Sequence, residues 1–123
     1  MVPEIKTIIF DLDGVVINSG CDIANAVNYT LEHFGKCKLE KEEIIGYVGD
    51  GMEELLKRSF KEYEEDTIKK AVSVCKQYYL RNYVIETKLY PNIEDTLQFF
   101  KKKSMAVVTN KPQSIAVKIL DKF

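Results

Sequence analysis

Residues 8–16, IIFDLDGVV, place two aspartates and a glycine within an apolar run. The run begins at Ile5 and is rich in isoleucine, which is typical of a buried strand in a parallel sheet. Asp11 and Asp13 do not suit a buried strand, so we predict a turn at DLDG. In open α/β sheets, ligands bind beyond the carboxyl ends of the strands. The stretch therefore predicts a strand that delivers two carboxylates to a ligand site.

A second apolar run, SMAVVTN at residues 104–110, predicts another buried strand that ends at Thr109 and Asn110. A long helical pattern separates the two strands. Its apolar faces are Ile23, Val27, Leu31 and Phe34, then Leu55, Leu56 and Phe60, then Ile68, Val72, Cys75, Tyr79 and Tyr83. We interpret these faces, tyrosines included, as the core of a small helical bundle. The pattern indicates an α/β fold with a helical insertion after the first strand.

Two further helices flank the second strand. One follows the turn at Pro91 and carries Ile93, Leu97 and Phe100 on one face, with Asn92 as the predicted side-chain cap. The other begins near Pro112 and carries Ile115, Ile119 and Phe123 on one face. Two strands are fewer than the roughly 4 to 6 of a typical sheet. The apolar pattern of both strands therefore predicts neighbouring strands that this sequence does not contain.

The composition fits one globular domain. The chain has 123 residues, 46% of them apolar, with 18 basic and 19 acidic side chains, a balance that calls for neither nucleic acid nor membrane as a partner. No stretch approaches the roughly 20 apolar residues of a membrane span, and the N-terminus lacks a signal-peptide pattern, so we expect a cytoplasmic protein. The sequence has three widely spaced cysteines, Cys21, Cys37 and Cys75, and a single histidine, His33. This pattern predicts structural thiols rather than a zinc site.

The two aspartates favour a metal site. Two carboxylates at one strand end repel each other unless a cation intervenes, and Mg²⁺ prefers such oxygen ligands. Gly14 allows a sharp turn and a close backbone approach to a bound group. An EF-hand calcium loop requires its glycine at position 6, whereas Gly14 holds position 4. Asp11 and Asp13 could instead only cap the following helix or fill a turn, but the second polar strand end at 109–110 favours a site.

These stretches resemble a known family. FDLDGVVINS at 10–19 resembles the first motif of the haloacid dehalogenase-like hydrolases, and VVTNKP at 107–112 resembles the second. The segments 46–60 and 89–103 resemble the cap and the helix after the cap in the phosphoglycolate phosphatase branch. The resemblance implies a partial Rossmann-like core, residues 1–17 and 88–123, with a helical cap inserted at 18–87.

The resemblance also implies roles. Asp11 would attack phosphorus and form an aspartyl phosphate, and Asp13 would serve as acid and then as base. Mg²⁺ would be held by the Asp11 carboxylate and the Asp13 backbone carbonyl. Thr109 and Asn110 would bind the phosphoryl group. The implied partner is a small phosphorylated metabolite.

The cap would close over the site and select the leaving group. Its loop from Gly49 to Gly51 is the predicted substrate-facing segment. Lys111 would either reach the outer end of the substrate or be a solvated loop lysine.

The family's third motif, a lysine, and its fourth, a group of acidic residues, lie downstream of the last residue, Phe123. We therefore expect weak or no catalysis from this chain alone. Three alternatives remain open: a non-catalytic truncated module that works by binding or by self-association through unpaired sheet edges, a phosphosugar mutase, or a pyrophosphatase. A phosphorelay receiver is disfavoured because it has no helical insertion of this size.

Overall fold

The computed structural model describes residues 4–123, so the first three residues of the predicted core segment 1–17 lie outside the described part. In residues 4–123 the chain forms six helices and four strands, with four of the helices in succession between the second and third strands. In order they are β1 (Thr7–Phe10), β2 (Ile17–Asn18), α1 (Gly20–His33), α2 (Lys41–Gly46), α3 (Met52–Phe60), α4 (Glu65–Asn82), β3 (Lys88–Leu89), α5 (Ile93–Phe99), β4 (Ser104–Val107) and α6 (Gln113–Lys122).

The two predicted strands form and lie side by side. β1 pairs with β4 in parallel, with Thr7 opposite Ser104 and Phe10 opposite Val107. A parallel pair needs a long crossover, which residues 11–103 provide. Because the strands run in the same direction, the segments that follow Phe10 and Val107 emerge at the same edge of the sheet.

The prediction that both strands are buried is wrong. Ile9 is 65% exposed on one face of the sheet, while Phe10 and Val107 pack against the core from the other face, where Met105 is still 40% exposed. Isoleucine-rich strands are buried when helices cover both faces and strands flank both edges. Within residues 4–123, β1 and β4 pair only with each other, and five of their eight residues are exposed.

The helices α1 to α4 form what we call the helical block. Ile23, Val27 and Leu31 lie one turn apart on α1 and are all buried, as their spacing predicts. α1 packs against α2 and α4, and α3 packs against α4. The buried stripe of α4 is also confirmed, since Ile68, Cys75 and Tyr79 lie in it, although Tyr83 falls just beyond the helix end.

Three short elements were not predicted. α2 contributes the fully buried Ile44, and β2 pairs with β3 as an antiparallel ribbon, with Ile17 opposite Leu89. The ribbon joins the two places where the chain enters and leaves the helical block. Elements of two residues are too short to produce a periodic pattern, because a period needs several repeats to be recognised.

Asp22 fixes the chain next to this ribbon. Its carboxylate is only 2% exposed and accepts hydrogen bonds from the backbone N–H groups of Ile85, Glu86 and Thr87 and from the Thr87 hydroxyl, at 2.6–3.1 Å. Buried charges are tolerated when donors surround them in this way. Asp22 therefore anchors the exit segment of the helical block to α1.

The two helices that flank β4 are less buried than their patterns predict. Asn92 precedes α5 but has φ +71° and makes no side-chain capping bond, so that prediction is wrong. α5 contains no buried residue, and Phe99 is 81% exposed. α6 buries Ile115 and Ile119 as predicted, whereas Phe123 is 50% exposed. None of the helices in residues 4–123 is long and apolar enough to cross a membrane.

Candidate active site at the strand ends

A pocket lies between the ends of β1 and β4 and the helical block. All the predicted site residues except Gly14 line it: Asp11, Asp13, Gly49, Gly51, Thr109, Asn110 and Lys111. Gly14 instead makes the turn after β1, with φ +82°, a conformation that glycine adopts without strain. The parallel pairing therefore brings together residues that are about 100 positions apart in the sequence.

The two aspartates differ in their surroundings. Asp11 is exposed, and its Oδ1 accepts a hydrogen bond from the Leu12 backbone N–H at 2.8 Å. The Asp13 side chain is 16% exposed. Its Oδ1 accepts from the Ser19 hydroxyl at 2.5 Å and lies 3.2 Å from Lys111 Nζ. Asp11 is thus open to a ligand, whereas Asp13 is held by two donors.

The residues after β4 connect the sheet to the helical block. The Thr109 hydroxyl oxygen accepts a hydrogen bond from the Lys111 backbone N–H at 3.1 Å, which leaves its own hydrogen free to be donated. Asn110 donates its side-chain amide to the Gly49 carbonyl at 2.8 Å. Gly51 also lies close, because a Cβ built there would be 3.5 Å from the Asn110 carbonyl oxygen, and its φ is +90°.

Lys111 is not a solvated loop lysine. Its side chain is 6% exposed, and its Nζ donates a hydrogen bond to the Tyr79 hydroxyl at 2.9 Å besides lying beside Asp13. Burial lowers the pKa of Lys111, and the carboxylate of Asp13 opposes that shift. The pocket therefore contains a buried cation between the end of β1 and α4.

The rest of the wall comes from the helical block. Ile23, Leu55 and Cys75, which the sequence pattern assigned only to the core, make this side apolar together with Ala26. Burial raises the pKa of the Cys75 thiol to about 11 and raises that of Tyr79 as well. A signal for Tyr79 was present in the sequence, because a buried tyrosine hydroxyl requires a hydrogen-bonding partner.

The carboxylates of Asp11 and Asp13 suit Mg²⁺, which is usually held by one or two carboxylates together with water and substrate phosphate. Residues 4–123 contain no cluster of three or more histidine, cysteine or acidic side chains that could hold a metal ion. The donors present in the pocket are the carboxylate oxygens of Asp11 and Asp13, the ligand type that a hard cation prefers.

This chain is similar to proteins of a known family. The model of the haloacid dehalogenase-like hydrolases matches residues 8–123. Phosphoglycolate phosphatase of Aquifex aeolicus is 38% identical over 118 residues, which cover 94% of this chain and 54% of that protein. Phosphoglycolate phosphatase of Haemophilus influenzae is 34% identical and is covered over 59% of its length.

Solved structures agree with the fold. The crystal structure of a predicted phosphoglycolate phosphatase from Haemophilus somnus superposes with a TM-score of 0.89 at 32% identity, covering 96% of this chain and 57% of that one. The chain thus spans about half the length of the curated relatives it matches. Both its motifs and its fold agree with the family match over residues 8–123, and the chain belongs to the haloacid dehalogenase-like hydrolases.

Proposed function

We propose that this chain carries the first two catalytic motifs of a Mg²⁺-dependent phosphomonoester hydrolase of the phosphoglycolate phosphatase type. The observation that carries the proposal is the pocket in which Asp11, Asp13 and Thr109 meet. The relatives' names supply the reaction class.

Asp11 is the nucleophile in this proposal. Its exposed carboxylate would attack phosphorus and release the alkoxide, giving an aspartyl phosphate that water then hydrolyses. The Leu12 N–H bond to Oδ1 restricts rotation of the carboxylate, so that Oδ2 is the oxygen we expect to attack.

Asp13 is the acid and base. It would donate a proton to the departing alkoxide and later accept one from the attacking water. The Ser19 and Lys111 contacts fix Oδ1, which leaves Oδ2 for the proton transfer. Thr109 would donate its hydroxyl hydrogen to a phosphoryl oxygen, and the Asn110 backbone N–H would do the same.

The Asp11 carboxylate and the Asp13 backbone carbonyl would hold Mg²⁺, which when bound offsets negative charge on the phosphoryl group. Residues 18–87 would form the cap over this site, with Gly49 and Gly51 in the loop that faces the substrate. The Asn110–Gly49 hydrogen bond supports that assignment because it joins the predicted phosphate-binding loop to the predicted cap loop.

The test is phosphate release from 2-phosphoglycolate by the purified chain, with and without Mg²⁺. We expect slow, Mg²⁺-dependent release that Asp11→Asn abolishes and that Asp121→Asn, a matched change at an exposed position outside the pocket, leaves unchanged. Mass spectrometry should detect one phosphoryl adduct on the chain, removable by hydroxylamine and absent from Asp11→Asn.

If neither phosphate release nor a phosphoryl adduct exceeds the Asp11→Asn background, the proposal is contradicted. That result would favour the binding-module alternative, in which the same chain acts by association.

A further inference from the structure

The buried pair of Lys111 and Tyr79 is more than a structural contact. An ammonium group carries three N–H donors. One is directed to Tyr79 at 2.9 Å and one to Asp13 at 3.2 Å. The third is left for a ligand in the pocket that both side chains line.

The Tyr79 hydroxyl has a donor of its own to offer. It accepts the hydrogen bond from Lys111, so its own hydrogen is directed elsewhere. Tyr79 is 2% exposed and its ring centroid lies 4.4 Å from Lys111 Nζ, so the hydroxyl and the ammonium are held together by packing. Two donors at this spacing can contact the two oxygens of one carboxylate.

The other side chains of the helical block that line the pocket in the described residues carry no charge. Ile23, Ala26 and Leu55 are apolar, and Lys111 is the one basic residue among those lining the pocket in the described part of the chain. A charge buried against an apolar wall is stabilised only by a partner. A second anionic group on a ligand would therefore be directed to Lys111 and Tyr79.

We propose that Tyr79 and Lys111 together bind a carboxylate on the leaving group of the substrate, with Tyr79 as a specificity-determining residue. This inference rests on the proposed function, because the phosphoryl group would occupy the position beside Asp11 and Thr109. The proposed function already implies a phosphomonoester with a carboxylate on its alcohol portion, and the inference adds the two side chains that hold that carboxylate.

The first experiment compares two ligands that share a phosphate but differ in the tail, 2-phosphoglycolate and ethyl phosphate. Titration of the chain with each gives a ratio of dissociation constants. We expect the wild type to favour 2-phosphoglycolate, Tyr79→Phe to reduce that preference about tenfold, the size of one hydrogen bond to a charged group, and Lys111→Met to abolish it. Ethyl phosphate should bind Tyr79→Phe as it binds the wild type.

Tyr78→Phe is the matched control. Tyr78 lies on the same helix but stacks on Tyr29, with 4.4 Å between ring centroids, and does not line the pocket. A merely structural role of Tyr79 would weaken binding of both ligands equally. That outcome, or an unchanged ratio in Tyr79→Phe, would overturn the inference.

A second experiment separates this inference from the proposed function. Glycolate, which has the carboxylate but no phosphate, is titrated while NMR signals of the Lys111 and Tyr79 side chains are followed. Saturable shifts in the wild type that are lost in Tyr79→Phe support the carboxylate site even if neither phosphate ligand binds. Absence of such shifts would overturn it even if phosphate is bound.

Discussion

The helical block and the two-stranded sheet contribute to the same pocket but are stabilised very differently. The block contains most of the fully buried side chains, among them Leu31, Leu56 and Tyr79. β1 and β4 contain no fully buried residue, although the loops after them carry Asp11, Asp13 and Thr109. The wall of the pocket is therefore well packed, whereas its polar residues follow strands that are only half covered.

This difference in packing should give the two sides of the pocket different free energies of local opening. Regions with few buried apolar contacts open at lower free energy than a packed core. We expect the Lys111–Tyr79 side of the pocket, which the block supports, to be more rigid than the Asp11 side. Substitutions on the two sides should accordingly differ in their effect on stability.

Leu56→Ala should destabilise the chain most. Leu56 is 0% exposed within the helical block, and truncation of a buried leucine costs about 2–5 kcal/mol through lost burial and a cavity. Leu120→Ala on α6 is the matched control because Leu120 is 40% exposed, and its cost should be about 1 kcal/mol or less. Urea denaturation followed by circular dichroism measures both. Equal costs would show that Leu56 contributes no more than a partly exposed leucine and would contradict tight packing in the block.

Asp22→Asn should cause the next largest loss of stability. The amide retains one acceptor oxygen but loses the charge that accepts from Ile85, Glu86 and Thr87, so we expect a loss of about 2–3 kcal/mol. Amide hydrogen exchange should accelerate first at residues 85–87. Asp121→Asn, which is exposed, should change neither quantity by more than about 0.5 kcal/mol. Uniformly faster exchange across the block would contradict a local anchoring role.

Some of this organisation was predictable because it repeats along the sequence. The spacing of Ile23, Val27 and Leu31 predicted α1, and the apolar runs predicted β1 and β4 with Asp11 and Thr109 at their ends. Their parallel pairing agrees with the tendency of successive strands to lie side by side and with the long crossover that a parallel pair needs. These features depend on local patterns and on one general rule of topology.

What could not be predicted depends on single long-range contacts. Asp22 in α1 looks like an ordinary first-turn carboxylate, yet its partners lie more than 60 residues away. Tyr79 fits a core stripe, and only the fold reveals that Lys111 reaches its hydroxyl. The exposed face of β1 was mispredicted because the strand pattern assumes neighbours on both sides, and that assumption is not written in the strand itself.

The pH dependence of stability should reflect Cys75, which is buried in the block. Burial raises the pKa of its thiol from 9.0 to about 11, so the folded chain retains the proton at a pH where the unfolded chain has lost it. The stabilisation is complete below pH 9 and is lost as pH rises toward 11, by about 2 kcal/mol. Denaturation midpoints of the wild type and Cys75→Ala at several alkaline pH values measure it.

The comparison is made on the slope with pH, because Cys75→Ala also removes packing and lowers stability at every pH. Cys37→Ala is the control, since Cys37 is exposed and should leave the slope as in the wild type. A Cys75→Ala protein with the wild-type slope would show that another group causes the alkaline loss.

Ile9→Lys should have the smallest effect on stability and a clear effect on association. Ile9 is 65% exposed on β1, so its replacement should change the free energy of unfolding by about 0.5 kcal/mol or less. Unpaired strands pair readily with other chains, and lysine on such a strand opposes that pairing. We expect the wild type to self-associate with rising concentration in sedimentation velocity and Ile9→Lys to remain monomeric.

Tyr63→Lys provides the control, because Tyr63 is 74% exposed but lies in the loop between α3 and α4 and belongs to neither strand. If both variants associate like the wild type, the sheet is not the associating surface. If Tyr63→Lys associates and Ile9→Lys does not, the partly covered strands are the surface through which the chains pair. The same strands also give little support to the segment that carries Asp11. Covering β1 would then be expected to stabilise the polar side of the pocket and suppress association together.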